Sequence, residues 1–356
     1  MATKLLTILT VRTASDRLPG KVLAEIKSRS SKSEAGKRKQ TEPLLVWLLR
    51  RLSQMDTILA VATTTDPTDN ELVAICEREG VPVFRGSTDD VISRMQMVVD
   101  SPKFASAKFI FRALGDCPFL DTGLVEYAAK RLDETGKEAF VYALDSEVWP
   151  VYGSREFPYS RDGWDRISAR STQREHTDQY FHLNREKFNI LYHLPPENVY
   201  FRLSYRLEVD YPEDLELVQV IADEVGMLAP LKDVIKYLDA NPGVARLNSN
   251  EVEKTGPLNL NTYDNAHRRR WLMGFSGKPI MTWEGKWIEP PSPHAVPVFC
   301  RCGELLGYGD RTRLHTLKTT GTHSLMLEHG YVKCRACGAI REWKSGYAKI
   351  SGTERL

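Results

Sequence analysis

Residues 5–21 read LLTILTVRTASDRLPGK, and the prediction of the fold starts from this segment. It opens with an apolar run that Arg12 ends, and a loop rich in cations and hydroxyls follows, turned by Pro19-Gly20. An apolar run that passes directly into such a loop is typical of a buried strand whose end faces a ligand. The segment therefore predicts a buried first strand and a loop that can hold phosphate.

Further predicted elements continue from this strand in alternating order. We expect strands at 57–63, 81–84, 108–114 and 207–209. Segments with helical spacing lie at 44–52, 70–80, 89–99, 123–135, 212–225 and 231–239. Strands that alternate with helices of this length predict an α/β fold with a mostly parallel sheet covered on both faces. In such sheets ligands bind at the carboxyl ends of the strands.

Two segments interrupt the alternation. Residues 27–42 are polar and basic, and we interpret them as a loop. Residues 137–205 are rich in Arg, Tyr, Pro and Asp, and we interpret them as a lid or an acceptor-binding insertion. A later change in composition divides the chain into an α/β domain at 1–245, a linker and Trp-rich extension at 246–295, and a small domain at 296–356.

Charge is distributed unevenly along the chain. Residues 255–356 hold 15 Lys and Arg against 8 Asp and Glu, a net charge of +7, whereas the remainder holds 34 against 39. A basic module can bind nucleic acid or an acidic protein partner, although many small soluble domains are basic without either. No apolar run is long enough for a membrane span, so we expect no membrane contact.

Four of the six cysteines form two close pairs. They lie in the knuckles Cys300-x-Cys302-Gly303 and Cys334-x-x-Cys337-Gly338, with 31 residues between the pairs. Four thiolates at this spacing suit a tetrahedral Zn²⁺ site without an open position, although a histidine between the pairs can replace one sulfur. We therefore predict a structural zinc ribbon at 296–356 and a reducing, cytoplasmic compartment.

The loop after the first strand holds the candidates for phosphate binding. Backbone N–H groups of a glycine-containing turn can cradle a phosphate, and Arg and Lys neutralise its charge. The candidates are Arg12, Ser15, Arg17, Gly20 and Lys21. Taken alone this is weak evidence, because a solvated turn has a similar composition.

Two aspartates follow predicted strands. Asp116 comes after the strand at 108–114, and Asp210 after the strand at 207–209. Carboxylate oxygens are the ligands that Mg²⁺ prefers. Each aspartate also has a structural alternative, because Asp116 suits a turn or helix cap and Asp210 precedes the helix-start signal Pro212-Glu213-Asp214.

These motifs together resemble a known family. The string Arg-x-x-Ser-x-Arg-x-Pro-x-Lys at 12–21 resembles the signature of the cytidylyltransferases that activate sugar acids, and its fuller form resembles the branch of the spore-coat polysaccharide biosynthesis protein F. Five further motifs follow in the family's order, and the resemblance covers residues 5–225. They are Val61-Ala62-Thr63-Thr64, Val83–Val91 with Arg94, Gly115-Asp116-Cys117-Pro118, Arg174-Glu175-His176 and Val209–Asp214.

The resemblance implies a Rossmann-like fold of the nucleotide-diphospho-sugar transferases (GT-A type) and Mg²⁺-dependent transfer of CMP from CTP to a sugar or sugar-acid acceptor. Its implied catalytic residues are Arg12, Lys21, Asp116 and Asp210, of which the two aspartates hold Mg²⁺. The implied nucleotide contacts are Arg12, Ser15, Arg17, Gly20, Lys21, Thr63, Arg85, Gly86, Ser87 and Arg94. The implied acceptor contacts are Arg174, Glu175 and His176, to which we add Tyr152, Arg155 and Arg161 as candidates for an anionic acceptor.

Ala14 and Leu114 depart from the family pattern, which usually has a glycine and a polar residue there, so the acceptor stays open. The oligomeric state also stays open, a homodimer included. Two alternative functions are a glycosyltransferase that uses a nucleotide sugar, and a non-catalytic protein that docks nucleic acid or a protein through its zinc ribbon. The basic loop favours a free triphosphate over a nucleotide sugar, and the two aspartates favour an enzyme.

Overall fold

A computed structural model of the chain describes residues 5–29, 39–142, 157–193, 205–249, 279–281, 286–289 and six strands between 296 and 344. The chain divides into two compact units. The first combines Met1–Phe140, Val151–Ile190 and Ser204–Lys254, and the second combines Val141–Pro150, Leu191–Leu203 and Thr255–Leu356.

The first unit is built on a sheet whose central strands are parallel. These strands are β1 (Leu5–Thr10), β4 (Ile58–Thr64), β5 (Val83–Gly86) and β6 (Phe109–Leu114). β1 pairs in parallel with both β4 and β6, and β5 extends the sheet beyond β4. All six residues of β1 are buried, because a central strand is covered on both faces. The predicted α/β fold with a mostly parallel sheet is confirmed.

Helices connect these strands and carry local signals that fix their ends. Their bounds are α1 (Leu44–Leu52), α2 (Asn70–Arg78), α3 (Val91–Val99), α4 (Thr122–Thr135), α5 (Arg161–Arg170), α6 (Gln179–Leu183), α7 (Pro212–Glu224) and α8 (Leu231–Ala240). Asp90 and Asp121 cap α3 and α4 by accepting backbone N–H bonds, and α4 ends at Gly136 in a left-handed conformation. These caps explain why the sequence located both helices to within about two residues.

The two ends of the polar segment predicted as a loop at 27–42 are instead paired strands. β2 (Glu25–Arg29) pairs antiparallel with β3 (Lys39–Pro43), while 30–38 lies outside the described residues. Ile26 and Ser28 are buried in alternation with exposed neighbours. The Gln219 side chain on α7 bonds both backbone groups of Lys27. The loop prediction was wrong because a polar strand at a sheet edge owes its order to such tertiary contacts rather than to its own composition.

Two further expectations need correction. The strand expected at 207–209 is an extended segment outside the sheet ladder, since only Arg206 forms a bridge there. Val209 N donates to the carbonyl of Asp116, so its partner is a turn rather than a strand. Part of the expected lid belongs to the sheet, because β8 (Tyr159–Ser160) pairs antiparallel with β6 and with Ala139 of β7 (Ala139–Tyr142).

The second unit contains short strands. β10 (Ile280–Met281) pairs with β9 (Ile190–His193) and β11 (Trp287–Ile288). A four-stranded antiparallel sheet comprises β12 (Val296–Phe299), β13 (Leu305–Gly309), β14 (Leu314–Leu317) and β15 (His323–Leu327), and a hairpin comprises β16 (His329–Lys333) and β17 (Ile340–Lys344). The four cysteines of the predicted zinc ribbon lie outside the described residues. Among the described helices, none has the length and apolar content needed to cross a bilayer.

Candidate active site at the strand ends

Lys21 is the centre of the polar cluster at the carboxyl edge of the sheet. Its ammonium donates to Asp116 Oδ2 at 3.1 Å, to Asp210 Oδ1 at 2.9 Å and to the carbonyl of Val209 at 2.6 Å. The lysine is only 7% exposed. The structure therefore joins the cationic loop to two aspartates that lie 95 and 189 residues further along the chain.

The electrostatics of this cluster favour its ionised form. Burial opposes the charge of Lys21, but Asp116 and Asp210 outweigh burial and raise the pKa of the lysine. Burial likewise opposes ionisation of Asp210, but Lys21, Arg17 and Arg206 outweigh it and lower the pKa of that carboxyl. Lys21 and Asp210 therefore both favour their charged forms around neutral pH.

Arg17 reaches the same carboxylate as Lys21. Its guanidinium lies 2.6 Å from Asp210 Oδ1 and 5.7 Å from the ring centroid of Tyr211. It is half-exposed, so it can turn toward a ligand, whereas Arg206 holds the other oxygen of Asp210 from a buried position at 2.5 Å. The Asp210 carboxylate therefore contacts three cations, Lys21, Arg17 and Arg206, of which Arg17 faces solvent.

Glu208 is a third acid of this cluster that sequence reasoning missed. Carboxylate oxygens of Asp116, Glu208 and Asp210 lie within 4.8 Å of one another, the spacing of a metal-ligand set. Side chains two positions apart in an extended segment point to the same side, so the run Glu208-Val209-Asp210 carried a usable signal. Arg206, also missed, lies 3.6 Å from Glu208 and balances part of this negative charge.

Asp69 binds the cationic loop through Thr13, a role that was not predicted from the sequence. Its carboxylate accepts bonds from the backbone and hydroxyl of Thr13 at 2.8 and 2.6 Å and from the hydroxyls of Thr63 and Thr64 at 2.8 and 2.5 Å. Burial opposes its ionisation, but these bonds outweigh burial and lower its pKa. Thr63, predicted to contact the nucleotide, donates its hydroxyl to this carboxylate, and its contact with a nucleotide stays a prediction.

The remaining loop residues shape the turn. Gly20 adopts a left-handed backbone with φ +73°, which favours glycine, and its N–H donates to the Thr13 carbonyl at 3.0 Å. Ser15 Oγ accepts from Leu18 N at 3.5 Å. Arg12 donates to the carbonyl of Thr88 at 3.4 Å. These contacts fix the direction in which Lys21 points.

The residues predicted to border the base, Arg85, Gly86 and Ser87, contact neighbouring groups of the protein. Arg85 donates to the carbonyls of Thr64 and Asp66 and to the side chain of Asn70, each at 2.8 Å. Ser87 Oγ accepts from the two residues before α3. A Cβ at position 86 would come within 2.9 Å of the Arg94 Cγ, so Gly86 makes room for that arginine. Their roles toward a nucleotide stay predictions.

Among the three predicted acceptor residues, one side chain is bonded to other protein groups and two are exposed. Arg174 pairs with Asp90 at 2.9 Å and donates to the Ser168 carbonyl. Glu175 and His176 are exposed, and Glu175 lies 3.8 Å from Arg12. Arg161 donates to the carbonyls of Val99, Phe104 and Ala107, so it has a structural role, and a contact with an acceptor stays a prediction. Tyr152 and Arg155 lie outside the described residues.

Several known proteins resemble this chain over most of its length. A family model described as cytidylyltransferase matches residues 6–216. An uncharacterised protein of Methanocaldococcus jannaschii is 31% identical over 71% of this chain and 97% of its own length. The spore coat polysaccharide biosynthesis protein SpsF of Bacillus subtilis is 28% identical over 68% of this chain and 96% of its own. A solved cytidylyltransferase from Leptospira borgpetersenii, 22% identical, covers 69% of this chain and 97% of its own with a TM-score of 0.55, so the fold is shared.

Proposed function

The chain belongs to the cytidylyltransferase family and is a nucleotidyltransferase, and we propose that it transfers CMP from CTP to a hydroxyl of a sugar-like acceptor. This proposal rests on one observation: the Lys21 ammonium contacts the carboxylates of both Asp116 and Asp210. Nucleotidyl transfer from a nucleoside triphosphate needs a cation beside the phosphates and carboxylates that can hold a metal ion, and both must lie in one place.

The proposed reaction is a displacement at the α-phosphorus. The acceptor oxygen forms a bond to that phosphorus, the bond from the phosphorus to the oxygen bridging the β-phosphate breaks, and pyrophosphate leaves with the electron pair. Lys21 and Arg17 supply positive charge beside the triphosphate. The acceptor hydroxyl gives its proton to a base, for which exposed His176 is the predicted group.

The donor set of the acidic cluster fits a hard divalent cation. Asp116, Glu208 and Asp210 offer only carboxylate oxygens, and they lie close enough to share one ion. We propose that Asp116 and Asp210 hold Mg²⁺ and that Glu208 adds negative charge beside them. When bound, Mg²⁺ would neutralise charge on the triphosphate and on the leaving pyrophosphate.

The acceptor is proposed as a sugar or sugar acid. The name of the SpsF relative places that protein in polysaccharide biosynthesis, which favours an acceptor of this class. The accessible Glu175 and His176 lie in the segment that resembles the acceptor side of the family. The predicted zinc ribbon and its nucleic-acid or protein partner stay separate predictions.

A pyrophosphate-release screen tests the proposal. The full chain with Mg²⁺ is offered CTP, UTP, GTP, ATP and dTTP in turn, each with a panel of sugars and sugar acids. We expect pyrophosphate release that is greatest with CTP and that requires an acceptor. Release of a nucleoside diphosphate from a nucleotide sugar, without pyrophosphate from any triphosphate, would instead favour the glycosyltransferase alternative.

A further inference from the structure

Asn248 is a buried amide that contacts the acidic segment 206–210 from outside the part of the chain matched by the family model. That match ends at residue 216. Asn248 is 1% exposed, and its Nδ2 donates to Asp214 Oδ1 at 2.7 Å and to the carbonyl of Arg206 at 3.0 Å. Both partners are acceptors, so the nitrogen of the amide rather than its oxygen has to face them.

The Asp214 carboxylate holds the backbone of Asp210. Its Oδ2 accepts from the N–H groups of Asp210 and Tyr211 at 2.9 and 3.0 Å. Its Oδ1 accepts from Asn248 and from Arg206 Nε, which lies at 3.3 Å. Because both oxygens of this buried carboxylate are bonded, its orientation is fixed, and Asn248 supplies the shorter of the two bonds to Oδ1.

Arg206 holds the side chain of the same aspartate. Its Nη2 donates to Asp210 Oδ2 at 2.5 Å, and the arginine is 2% exposed. That bond leaves Asp210 Oδ1 to face Lys21, at the position where a cation binds. One planar guanidinium thus links Asp214 to Asp210, and Asn248 bonds both Asp214 and the backbone of this arginine.

The segment 206–210 depends on such contacts because it is not a strand. It is extended and carries Glu208 and Asp210, but only Arg206 forms a ladder bridge there. Its further backbone bonds include the donation from Val209 N to the carbonyl of Asp116 and the amide bonds to Asp214. A binding constellation has to be held to within about 0.5 Å by the groups around it. Side chains, rather than strand pairing, therefore decide where these carboxylates point.

We propose that Asn248 is a positioning residue for nucleotidyl transfer, which acts through Asp214 and Arg206 to fix the Asp210 carboxylate in its cation-binding orientation. The inference rests on the proposed function only in that Asp210 holds a divalent cation. Carboxylates that bind metal are themselves hydrogen-bonded, and loss of such outer partners lowers metal affinity or activity roughly ten- to a hundredfold. Asn248 acts on the cation rather than on the nucleotide, because both of its bonds go to residues that hold Asp210.

Binding of Mn²⁺, which replaces Mg²⁺ as a probe, is the first test. Mn²⁺ is titrated into the full chain without nucleotide, and the free ion is followed by electron paramagnetic resonance. Asn248→Ala should bind Mn²⁺ about tenfold more weakly than the wild type, because Asp210 loses its fixed orientation. Asn241→Ala is the matched control and should keep the wild-type affinity, since Asn241 Nδ2 donates to the carbonyl of Tyr237 on α8.

The metal dependence of pyrophosphate release from CTP is the second test. Asn248→Ala should need about tenfold more Mg²⁺ for half-maximal rate, and excess Mg²⁺ should restore most of the rate. The KM for CTP at saturating Mg²⁺ should stay near the wild-type value. A purely structural role would lower the amount of active protein at every Mg²⁺ concentration and leave the half-maximal concentration unchanged.

A thermal melt checks that each variant is folded at the assay temperature, because Asn248→Ala also leaves two buried acceptors without a donor. Asn248→Ser keeps a hydroxyl donor at this position, and its Mn²⁺ affinity should lie between those of the alanine variant and the wild type. If the alanine variant does not fold, the serine variant decides: an affinity equal to that of the wild type would overturn the positioning role.

Failure of this inference can be told apart from failure of the proposed function. If the wild type turned over CTP and Asn248→Ala matched Asn241→Ala in Mn²⁺ affinity and Mg²⁺ requirement, the positioning role would be wrong and the function would stand. If the wild type bound Mn²⁺ but turned over no triphosphate, the function would be wrong. A weaker Mn²⁺ affinity confined to the Asn248 variants would then still support the positioning role.

Discussion

Lys21 Nζ lies 2.9 Å from Asp210 Oδ1, and the same ammonium reaches Asp116 at 3.1 Å. Lys21 therefore occupies the place between carboxylates where a divalent cation would be expected. The charge of the cluster is balanced in this state by Lys21, Arg17 and Arg206. If Mg²⁺ binds there with a triphosphate, Lys21 has to turn from the acids toward the phosphates.

Asp116→Asn should lower pyrophosphate release by about a hundredfold or more, because it removes a carboxylate from the site where charge develops. The fold should survive, since the Asp116 side chain is 25% exposed and asparagine has the same shape. Steady-state pyrophosphate release and a circular-dichroism melt measure the two effects. Turnover within about threefold of the wild-type rate would contradict the assigned role. A rise of only 1.36 kcal/mol in the barrier already lowers a rate about tenfold.

Lys21→Met should have opposite effects on metal and on nucleotide. Without the ammonium, Asp116, Glu208 and Asp210 face one another with less compensation, so Mn²⁺ added without nucleotide should bind more tightly than to wild type. CTP should bind more weakly. Calorimetric titrations of each ligand separate the two effects, and Lys39→Met, at an exposed ion pair with Asp223, serves as control. Unchanged Mn²⁺ affinity would mean that Lys21 does not compete with the cation.

Asp69→Asn should make the protein less stable at neutral pH and less sensitive to acid. The pKa of Asp69 in the folded state lies below its ordinary value of 3.8. Its contribution to stability is therefore complete above pH 3.8 and is lost as pH falls toward the folded-state pKa. Urea unfolding between pH 7 and 3 measures this change. We expect a loss of about 2–4 kcal/mol at pH 7, and a shallower decline below pH 4 than wild type. Parallel declines would refute the assignment.

Arg51→Met should destabilise the first unit by about 2–4 kcal/mol, because three buried carbonyls lose their donor. Arg51 is 2% exposed and donates to the carbonyls of Leu120, Met227 and Ala229 at 3.2, 2.6 and 2.8 Å. Arg50→Met, one position earlier on α1, removes partly exposed ion pairs with Glu42 and Glu79 and should cost less than about 1 kcal/mol. Equal losses in the two variants, measured by urea unfolding, would show that the carbonyl bonds contribute little.

The predicted zinc ribbon should hold one Zn²⁺ per chain. Elemental analysis of the purified protein measures the stoichiometry, and Cys334→Ser should abolish it because one of four thiolate ligands is lost. Cys76→Ala is the control, since Cys76 is a free thiol buried in α2. A protein without bound zinc, or full retention of zinc in the Cys334 variant, would rule out the ribbon.

Local order was readable from the sequence wherever it has a local cause. The apolar run of β1, the cap at Asp121 and the stop at Gly136 each depend on neighbouring residues. The polar strands β2 and β3 were not predicted, because β2 owes its order to bonds with Gln219 of α7 and with the backbone of Met227 beyond that helix. The strand expected at 207–209 is not observed, for a related reason. The Val209 N–H donates to the carbonyl of Asp116 in a turn, and hydrophobic periodicity does not predict such a contact.

The sequence alone determined the family, the parallel α/β fold and which motifs carry charge, because periodicity, caps and motif order are properties of short segments. Tertiary structure alone decided which of these charges meet. It joined Lys21 to Asp116 and Asp210, and it added Glu208 and Asp69, which no motif had singled out. The reason is that electrostatic and hydrogen-bond energies depend on distance and burial, and neither quantity exists until the strands have paired.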